Sequence, residues 1–257
     1  MYTTVTCVIR PPLFSAVRES ASSRLQSRYW DWLLMFEKEA YWVSWLRWHL
    51  YRKRRGKQGD AFKGALLKMR TAVRRLPRGA LVLDCGANVG DVSGYFLAKG
   101  MKVIAFEPDP TALAVLKARF PNEPRLVIEQ KAVGAAAGFA PFYQTEALAD
   151  GNIKETIASS LMRRDVHTTA PVAQVEIANL AEYIRGLPER VRILKLDIEG
   201  YEAEVLEALL AERLERQIDL ILVETHEFFS EELAARIGAL RLRIEREKIT
   251  NVCLDWH

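Results

Sequence analysis

From about residue 61 onward, short apolar runs alternate along the chain with longer stretches of helical periodicity. The apolar runs have the length and the content of β-branched residues that buried strands require, and they read ALVLDC, VIAFEP, RLVIEQ, VRILKLD and DLILVET. Helices are predicted between them at 92–99, 111–120 and 201–214, and a further helix at 61–76 precedes the first run. Strands that alternate with helices of this length are typical of βαβ units. The pattern therefore predicts an α/β fold with a parallel, doubly wound sheet.

Two later segments depart from this rhythm. Residues 144–172 lack either periodicity and are predicted to form a loop inserted over the sheet. Near the end of the chain, Leu240, Leu242 and Ile244 alternate with charged residues, and a second alternation follows at 252–256. A period of two indicates strands with one face buried, so we predict a C-terminal antiparallel hairpin that closes the sheet.

The first 60 residues have a different composition and are expected to form an N-terminal helical, aromatic and basic extension of the main domain at 61–257. Residues 29–51 hold five of the six tryptophans and contain no Gly or Pro, which predicts a helix that is apolar on all sides. Such a helix requires burial, either against its own domain or a second subunit of a homo-oligomer, at a membrane interface, or against another partner. Its five charged residues are too many for a lipid span.

Composition and charge narrow the class of protein. A chain of 257 residues with 49% hydrophobic and 27% charged residues can bury a substantial core. Its three cysteines have no paired spacing, which argues against disulfides or a cysteine zinc site and favours a reducing, cytoplasmic location. The N-terminus does not resemble a secretory signal, and no run of about 18 uncharged apolar residues exists.

The net charge of +4 is distributed very unevenly. Residues 52–78 carry eleven Lys or Arg against Asp60 alone, a balance of +10, so the rest of the chain sums to −6. The basic segment is either a solvated surface or linker, or a contact for anionic lipid or a phosphate-rich partner. Together with the aromatic helix, it is compatible with a peripheral position at the inner face of a membrane through residues 29–57.

Candidate chemistry begins where the first apolar run ends. Asp84 precedes Gly86 and Gly90, which allow a tight turn and close approach of a ligand to the backbone, and Asn88 tolerates a left-handed conformation between them. The acid before the first glycine suits a ligand with a cationic group, such as the ammonium and sulfonium of S-adenosylmethionine. Glu107 ends the second run, where a carboxylate accepts hydrogen bonds from ribose hydroxyls in other doubly wound nucleoside sites. The order and spacing of these signals predict nucleoside binding, although the two acids could also be strand-end caps.

Five short blocks in order along 81–244 resemble the FkbM family of S-adenosylmethionine-dependent methyltransferases: DCGANVG, FEPDP, AVG, KLDIEGYE and VETH. The resemblance implies a class I methyltransferase (Rossmann-like) fold and O-methylation of a hydroxyl on a sugar, glycolipid or secondary metabolite. It also implies a set of residues that bind the methionine end, the ribose and the adenine of S-adenosyl-L-methionine. These residues are Asp84, Gly86, Asn88, Gly90, Glu107, Pro108, Ala132 and Val133. Residues 179–184 depart from the LDDLL-like pattern common in the family at that place.

The expected catalytic residues follow the last two apolar runs. Asp197 and Glu199 come after VRILKLD, and Glu224 and His226 end DLILVET, so all four are expected at the carboxyl edge of the sheet. Either Asp197 or His226 is a candidate base for the acceptor hydroxyl, and Glu199 either contacts substrate or bonds to nearby backbone. Asp197 with Glu224 could hold Mg²⁺, but two carboxylates without a third ligand do not make a site, and we predict no metal.

Three other functions compete with O-methylation of a small-molecule or glycan acceptor. An RNA or other nucleic-acid methyltransferase would use the basic N-terminal segment, but no proline-proline-aromatic motif of the kind that clamps a flipped base is found, and we expect no nucleic-acid partner. An NAD-dependent oxidoreductase is disfavoured by the missing GxGxxG. A degenerate scaffold that serves the N-terminal helix is disfavoured by the intact Asp84, Gly86, Gly90 and Glu107.

Overall fold

A computed structural model describes residues 57–144, 161 and 170–256. The predicted N-terminal extension up to residue 56 and most of the predicted loop at 144–172 lie outside the described residues. The helix predicted to start at residue 61 begins earlier, and α1 spans Lys57–Arg75.

Six parallel strands form the central sheet in the order β3-β2-β1-β7-β8-β9. The five predicted strands are all present, with a sixth at the end of the chain, and their bounds are β1 Leu81–Cys85, β2 Lys102–Phe106, β3 Leu126–Glu129, β7 Val191–Leu196, β8 Leu220–Val223 and β9 Val252–Cys253. The order reverses between β1 and β7, because the chain runs outward from β1 to β3 and then returns to the other side of β1. A point of reversal at the carboxyl edge is where doubly wound sheets bind ligands.

Helices cover both faces of this sheet. On one face α1 packs with α2 (Asp91–Ala98) around a core that includes Phe62, Met69, Phe96 and Trp256. The other face carries α4 (Leu180–Gly186), α5 (Glu202–Ala211) and α6 (Glu231–Arg246), whose leucines and isoleucines pack on the sheet. Between β2 and β3 lies α3 (Pro110–Arg119). Asp109 is its N-cap residue, and the Asp109 side chain accepts a hydrogen bond from the Thr111 amide. The predicted doubly wound α/β arrangement is confirmed.

A second, three-stranded sheet extends from the carboxyl side of β3. It consists of β4 (Ala132–Gly134), β5 (Gly138–Phe142) and β6 (Ala173–Asn179), with β6 in the middle, parallel to β4 and antiparallel to β5. Its buried side chains Ala132, Phe142 and Val175 form a small core of their own. Sequence periodicity gave no indication of these strands.

The predicted C-terminal antiparallel hairpin is wrong. Residues 240–244 belong to α6, and β9 pairs parallel to β8. Leu233, Ile237 and Leu240 are buried at helical spacing, whereas Leu242 is 68% exposed. Burial in this segment therefore follows the helical period and not the period of two seen at residues 240–244. Among the described helices, none is long and apolar enough to cross a membrane.

Candidate active site

A cavity opens at the carboxyl edge of the central sheet, beside the point where the strand order reverses. Six of the eight predicted cofactor residues line it, and so do two predicted catalytic acids: Gly86, Asn88, Glu107, Pro108, Ala132, Val133, Asp197 and Glu199. The sequence therefore predicted most of one contiguous surface, although its members come from four separate parts of the chain. Phe142 and Leu161 also line the cavity and were not predicted.

The loop after β1 has the conformation that its residue types suggest. Gly86, Asn88 and Gly90 all have positive φ, at 78°, 51° and 86°. At Gly86 an added Cβ would lie 1.7 Å from the carbonyl oxygen of Asp197, so the loop passes directly against the chain after β7. Gly90 does not line the cavity, and its missing side chain instead leaves room for Leu116 of α3. The loop thus presents backbone rather than side chains to a ligand.

Glu107 lies at the end of β2 with its carboxylate turned toward this loop. Its two oxygens accept hydrogen bonds from the amides of Asn88 (2.6 Å) and Asp109 (2.8 Å). Burial raises the pKa of Glu107 to about 8, against the opposing effect of these two hydrogen bonds. A group with this pKa changes its charge close to neutral pH, in a wall of the cavity.

Asp84 does not line the cavity. It is fully buried, and its Oδ2 accepts a hydrogen bond from the Ser93 hydroxyl at 2.6 Å. Its other oxygen lies 3.5 Å from Lys195 Nζ on the neighbouring strand. The sequence suggested that Asp84 pairs directly with the ammonium group of a ligand, but in this geometry Asp84 does not reach the cavity. Asp84 contacts Lys195 instead and acts on the site through it.

Lys195 is a functional-site residue that sequence reasoning missed. Its Nζ donates a hydrogen bond to the carbonyl oxygen of Gly86 (2.7 Å) and lies 3.0 Å from Asp197 Oδ2. Burial opposes its charge, but Asp197 and Asp84 outweigh burial and raise the pKa of Lys195 above its usual value. One buried ammonium thus joins the loop after β1 to Asp197 after β7. The available signal was a lysine inside the otherwise apolar run VRILKLD.

Glu202 is the second residue that was missed. At the start of α5 its fully buried carboxylate accepts hydrogen bonds from the amides of Ile198 (2.8 Å) and Gly200 (3.0 Å) and contacts His226 Nδ1 at 2.9 Å. It fixes the turn that carries Asp197 and Glu199, and Glu199 has a left-handed φ of 56° in that turn. An acid in the first turn of a helix was the sequence signal.

His226 is surrounded by carboxylates. Its Nε2 lies 3.7 Å from Glu199 and 4.0 Å from Asp197, while Glu202 holds the other ring nitrogen. Burial works against the imidazolium, but the hydrogen bond and charge of Glu202, followed by Glu199 and Asp197, outweigh it and raise the pKa of His226 to about 10. At neutral pH this ring already carries its proton, so the geometry argues against His226 as the base.

From the sequence, Asp197 with Glu224 is a candidate pair for Mg²⁺ and no metal is predicted; the structure groups Asp197 with other residues instead. Ligand-type atoms of Asp197, Glu202 and His226 lie within 4.8 Å of one another, the one such group of three among residues 57–144 and 170–256. In that group Glu202 and His226 already hydrogen-bond to each other.

An exposed aromatic ring lies next to His226. Phe228 is 79% exposed in a short 3₁₀ turn, Glu227–Phe229, that follows β8. Its ring centroid lies 5.9 Å from that of His226 and 4.8 Å from that of Phe229. Phe228 does not itself line the cavity, and its ring approaches the cavity acids through His226.

These features define a class of protein: an α/β enzyme that binds a cationic nucleoside at the carboxyl edge of a doubly wound sheet. The family model described as the methyltransferase FkbM domain matches residues 84–248. This chain belongs to the FkbM family of methyltransferases and uses S-adenosyl-L-methionine as its cofactor.

The chain is also similar to individual proteins. The chain is 28% identical over 181 residues to the methyltransferase sdnD of Sordaria araneosa, covering 60% of this chain and 70% of that protein. Among solved structures, a TehB-like SAM-dependent methyltransferase from Corynebacterium glutamicum is 26% identical, with 35% of this chain and 43% of that chain covered and a TM-score of 0.21. An rRNA methylase from Streptococcus thermophilus is 14% identical, with 69% of this chain and 76% of that chain covered and a TM-score of 0.36. The chain thus spans less than half of the Corynebacterium structure.

Proposed function

We propose that this methyltransferase acts on a hydroxyl group of a sugar, a glycolipid or a secondary metabolite. The observation that carries the proposal is that two carboxylates, Asp197 and Glu199, line the cavity beside His226. The exposed ring of Phe228 lies 5.9 Å from the His226 ring, outside the cavity lining. Carboxylates accept hydrogen bonds from hydroxyl groups. An exposed aromatic face offers packing to the apolar face of a ring-shaped acceptor. A polyhydroxylated ring would satisfy both.

The residues of the cavity fit the cofactor. Three acids (Glu107, Asp197, Glu199) and one lysine (Lys131) line the cavity, a net charge of −2 when Glu107 is ionised, which complements a sulfonium and an ammonium. When bound, the cofactor supplies an electrophilic methyl group on its sulfonium. Glu107, Ala132 and Val133 all line the cavity, which supports the proposal that Glu107 accepts hydrogen bonds from ribose hydroxyls and that Ala132 and Val133 contact the adenine.

Asp197 is the base that we propose. It lines the cavity, and its two oxygens lie 3.0 Å from Lys195 and 4.0 Å from His226. These two cations fix the carboxylate, so that the acceptor hydroxyl can be oriented and its proton passed to an Asp197 oxygen as the methyl group is transferred. Glu199 would hold a second hydroxyl, and His226 would act as a positioning residue through its contacts with both acids.

A nucleic-acid acceptor is less well supported. The acceptor side of the cavity is lined with carboxylates, which repel the phosphates of a nucleic-acid strand. The oxygen-rich edge suits a neutral hydroxylated molecule instead.

The test uses the full chain with methyl-labelled cofactor and a panel of sugars, glycolipids, hydroxylated metabolites and RNA. Once an acceptor is found, Phe228→Ala should raise its KM about tenfold, since loss of an aromatic contact costs on the order of 1.4 kcal/mol. Cofactor affinity should not change. Phe139→Ala is the matched control, because Phe139 is equally exposed, at 76%, but lies on β5. Methylation of RNA alone, or an unchanged acceptor KM in Phe228→Ala, would contradict the proposal.

A further inference from the structure

The outer face of α1 is strongly basic. Phe62, Ala65, Leu66, Met69 and Val73 bury one side of the helix against the sheet. The opposite side exposes five cations, namely Lys63, Lys68, Arg70, Arg74 and Arg75. The sequence contains no acid from residue 61 to residue 83.

These cations differ from the paired basic residues of α6. On α6, Arg236 pairs with Glu207 on α5, and Arg243 pairs with Glu247. By contrast, none of Lys68, Arg70, Arg74 and Arg75 has a carboxylate within 4 Å in the part of the chain that the structure describes. Like charges without counter-charges repel one another, which lowers the free energy of unfolding, and they attract an anionic surface.

An exposed leucine lies inside this basic face. Leu67 is 65% exposed and follows Lys63 by four residues, and Arg70 and Arg74 follow it by three and seven. These spacings place all four side chains on one stripe of the helix. A large apolar side chain surrounded by cations is typical of helices that lie on a lipid surface, where the charges meet headgroups and the apolar residue enters the acyl boundary.

We propose that this face of α1, formed by Lys63, Leu67, Lys68, Arg70, Arg74 and Arg75, binds the surface of an anionic membrane. Lipid fits better than nucleic acid because Leu67 gains burial in the acyl boundary but gains none against a phosphate backbone. In the sequence the basic character continues toward the N-terminus through Arg52, Lys53, Arg54 and Arg55. The proposal does not depend on the identity of the methyl acceptor.

The test is co-sedimentation of the full chain with phosphatidylcholine vesicles, with and without phosphatidylglycerol. Binding should require phosphatidylglycerol and weaken as salt is raised. Arg70→Gln/Arg74→Gln should weaken it about thirtyfold, since each cation near an anionic surface contributes on the order of 1 kcal/mol. Leu67→Ser should weaken it as well while keeping every charge.

Lys117→Gln/Arg246→Gln is the control, because it removes the same charge from exposed positions on α3 and α6 and should leave binding unchanged. A thermal melt of each variant checks that it folds. Equal binding to neutral vesicles, or unchanged binding by Arg70→Gln/Arg74→Gln, would overturn the proposal. So would tight binding of poly(U) that this variant abolishes while vesicle binding stays the same.

Discussion

Glu107 is a carboxyl group whose charge is set by its surroundings. Because burial raises its pKa to about 8, much of it is protonated at neutral pH, although it faces a cavity for a nucleoside. A carboxylate accepts hydrogen bonds from two ribose hydroxyls better than a carboxylic acid does. Cofactor binding and ionisation of Glu107 are therefore expected to favour each other.

This coupling predicts that cofactor affinity rises with pH. Between pH 6.5 and 8.5 the Kd of S-adenosylmethionine should fall about tenfold as Glu107 ionises, because a group half-titrated near 8 changes its charge within this range. Glu107→Gln should remove this pH dependence and, at pH 8.5, weaken binding roughly tenfold to a hundredfold, the loss expected for a hydrogen bond to a charged group.

Isothermal titration calorimetry measures both effects. The α-amino group of the ligand also titrates near neutral pH, so the informative quantity is the difference between wild type and Glu107→Gln. The exposed Glu189→Gln variant, which loses only the ion pair with Lys102, should follow the wild type. Identical pH profiles for wild type and Glu107→Gln would show that Glu107 is not the ribose acceptor.

Single-residue expectations succeeded where the backbone or the local sequence decides them. The left-handed conformation of Asn88 follows from its residue type between two glycines, and the structure confirms it. The expected role of His226 as a base assumed a histidine with an ordinary pKa. Three carboxylates from another part of the chain surround the ring and favour its protonated form. No local pattern around residue 226 contains that information.

Neighbouring elements determine the role of Lys195. In the parallel pairing of β1 with β7, Asp84 lies directly opposite Lys195. The lysine therefore compensates one fully buried acid while its ammonium also reaches Gly86 and Asp197. Removing one member of a buried ion pair leaves an uncompensated charge in the interior.

Lys195→Met is expected to lower the free energy of unfolding by about 3–5 kcal/mol, the usual result of breaking a buried pair. Asp84→Asn/Lys195→Met should recover part of that loss, because the buried carboxylate of Asp84 is removed together with its partner, Lys195. Urea denaturation of both variants and of Asp84→Asn gives the coupling between the two sites. If the double variant were as unstable as the sum of the single ones, the pairing would have no energetic role.

The mistaken hairpin shows what element prediction lacks. The run of residues 240–244 fits a period of two, and Leu240 with Ile244 also fits one face of a helix. Packing against α5 and the 3₁₀ turn at Glu227–Phe229 selected the helix, because it lets Leu233, Ile237 and Leu240 be buried together in the core. Only the neighbouring elements could choose between the two periods.

The whole molecule should lose stability as pH rises above neutral. The folded-state pKa of His226, about 10, is above its ordinary value of 6.5, so the folded chain holds a proton that the unfolded chain has released. The resulting stabilisation is fully present below pH 6.5 and is lost as pH rises toward 10. Glu107 acts in the same direction between 4.5 and about 8, since its buried carboxyl must become charged in the folded state.

His226→Gln should therefore be less stable than wild type at pH 7, and the difference should shrink as pH approaches 10. Differential scanning calorimetry from pH 6 to 10 measures this as two Tm curves that converge. Comparison with the variant is needed because other groups also titrate in this range. Curves that remain parallel across the whole range would mean that His226 is not protonated in the folded protein.

The sequence by itself determined the alternation of strands and helices, the positive-φ loop after the first strand, and the family blocks, several of whose residues line the cavity. These depend on local periodicity and on residue types, and the chain carries them wherever it folds. The tertiary structure decided which strands are neighbours, and thereby that Lys195 lies between Asp84 and Asp197, that His226 is enclosed by acids, and that the last strand is parallel. Burial and charge pairing between distant segments depend on distances through space, and these exist only once the sheet has been assembled.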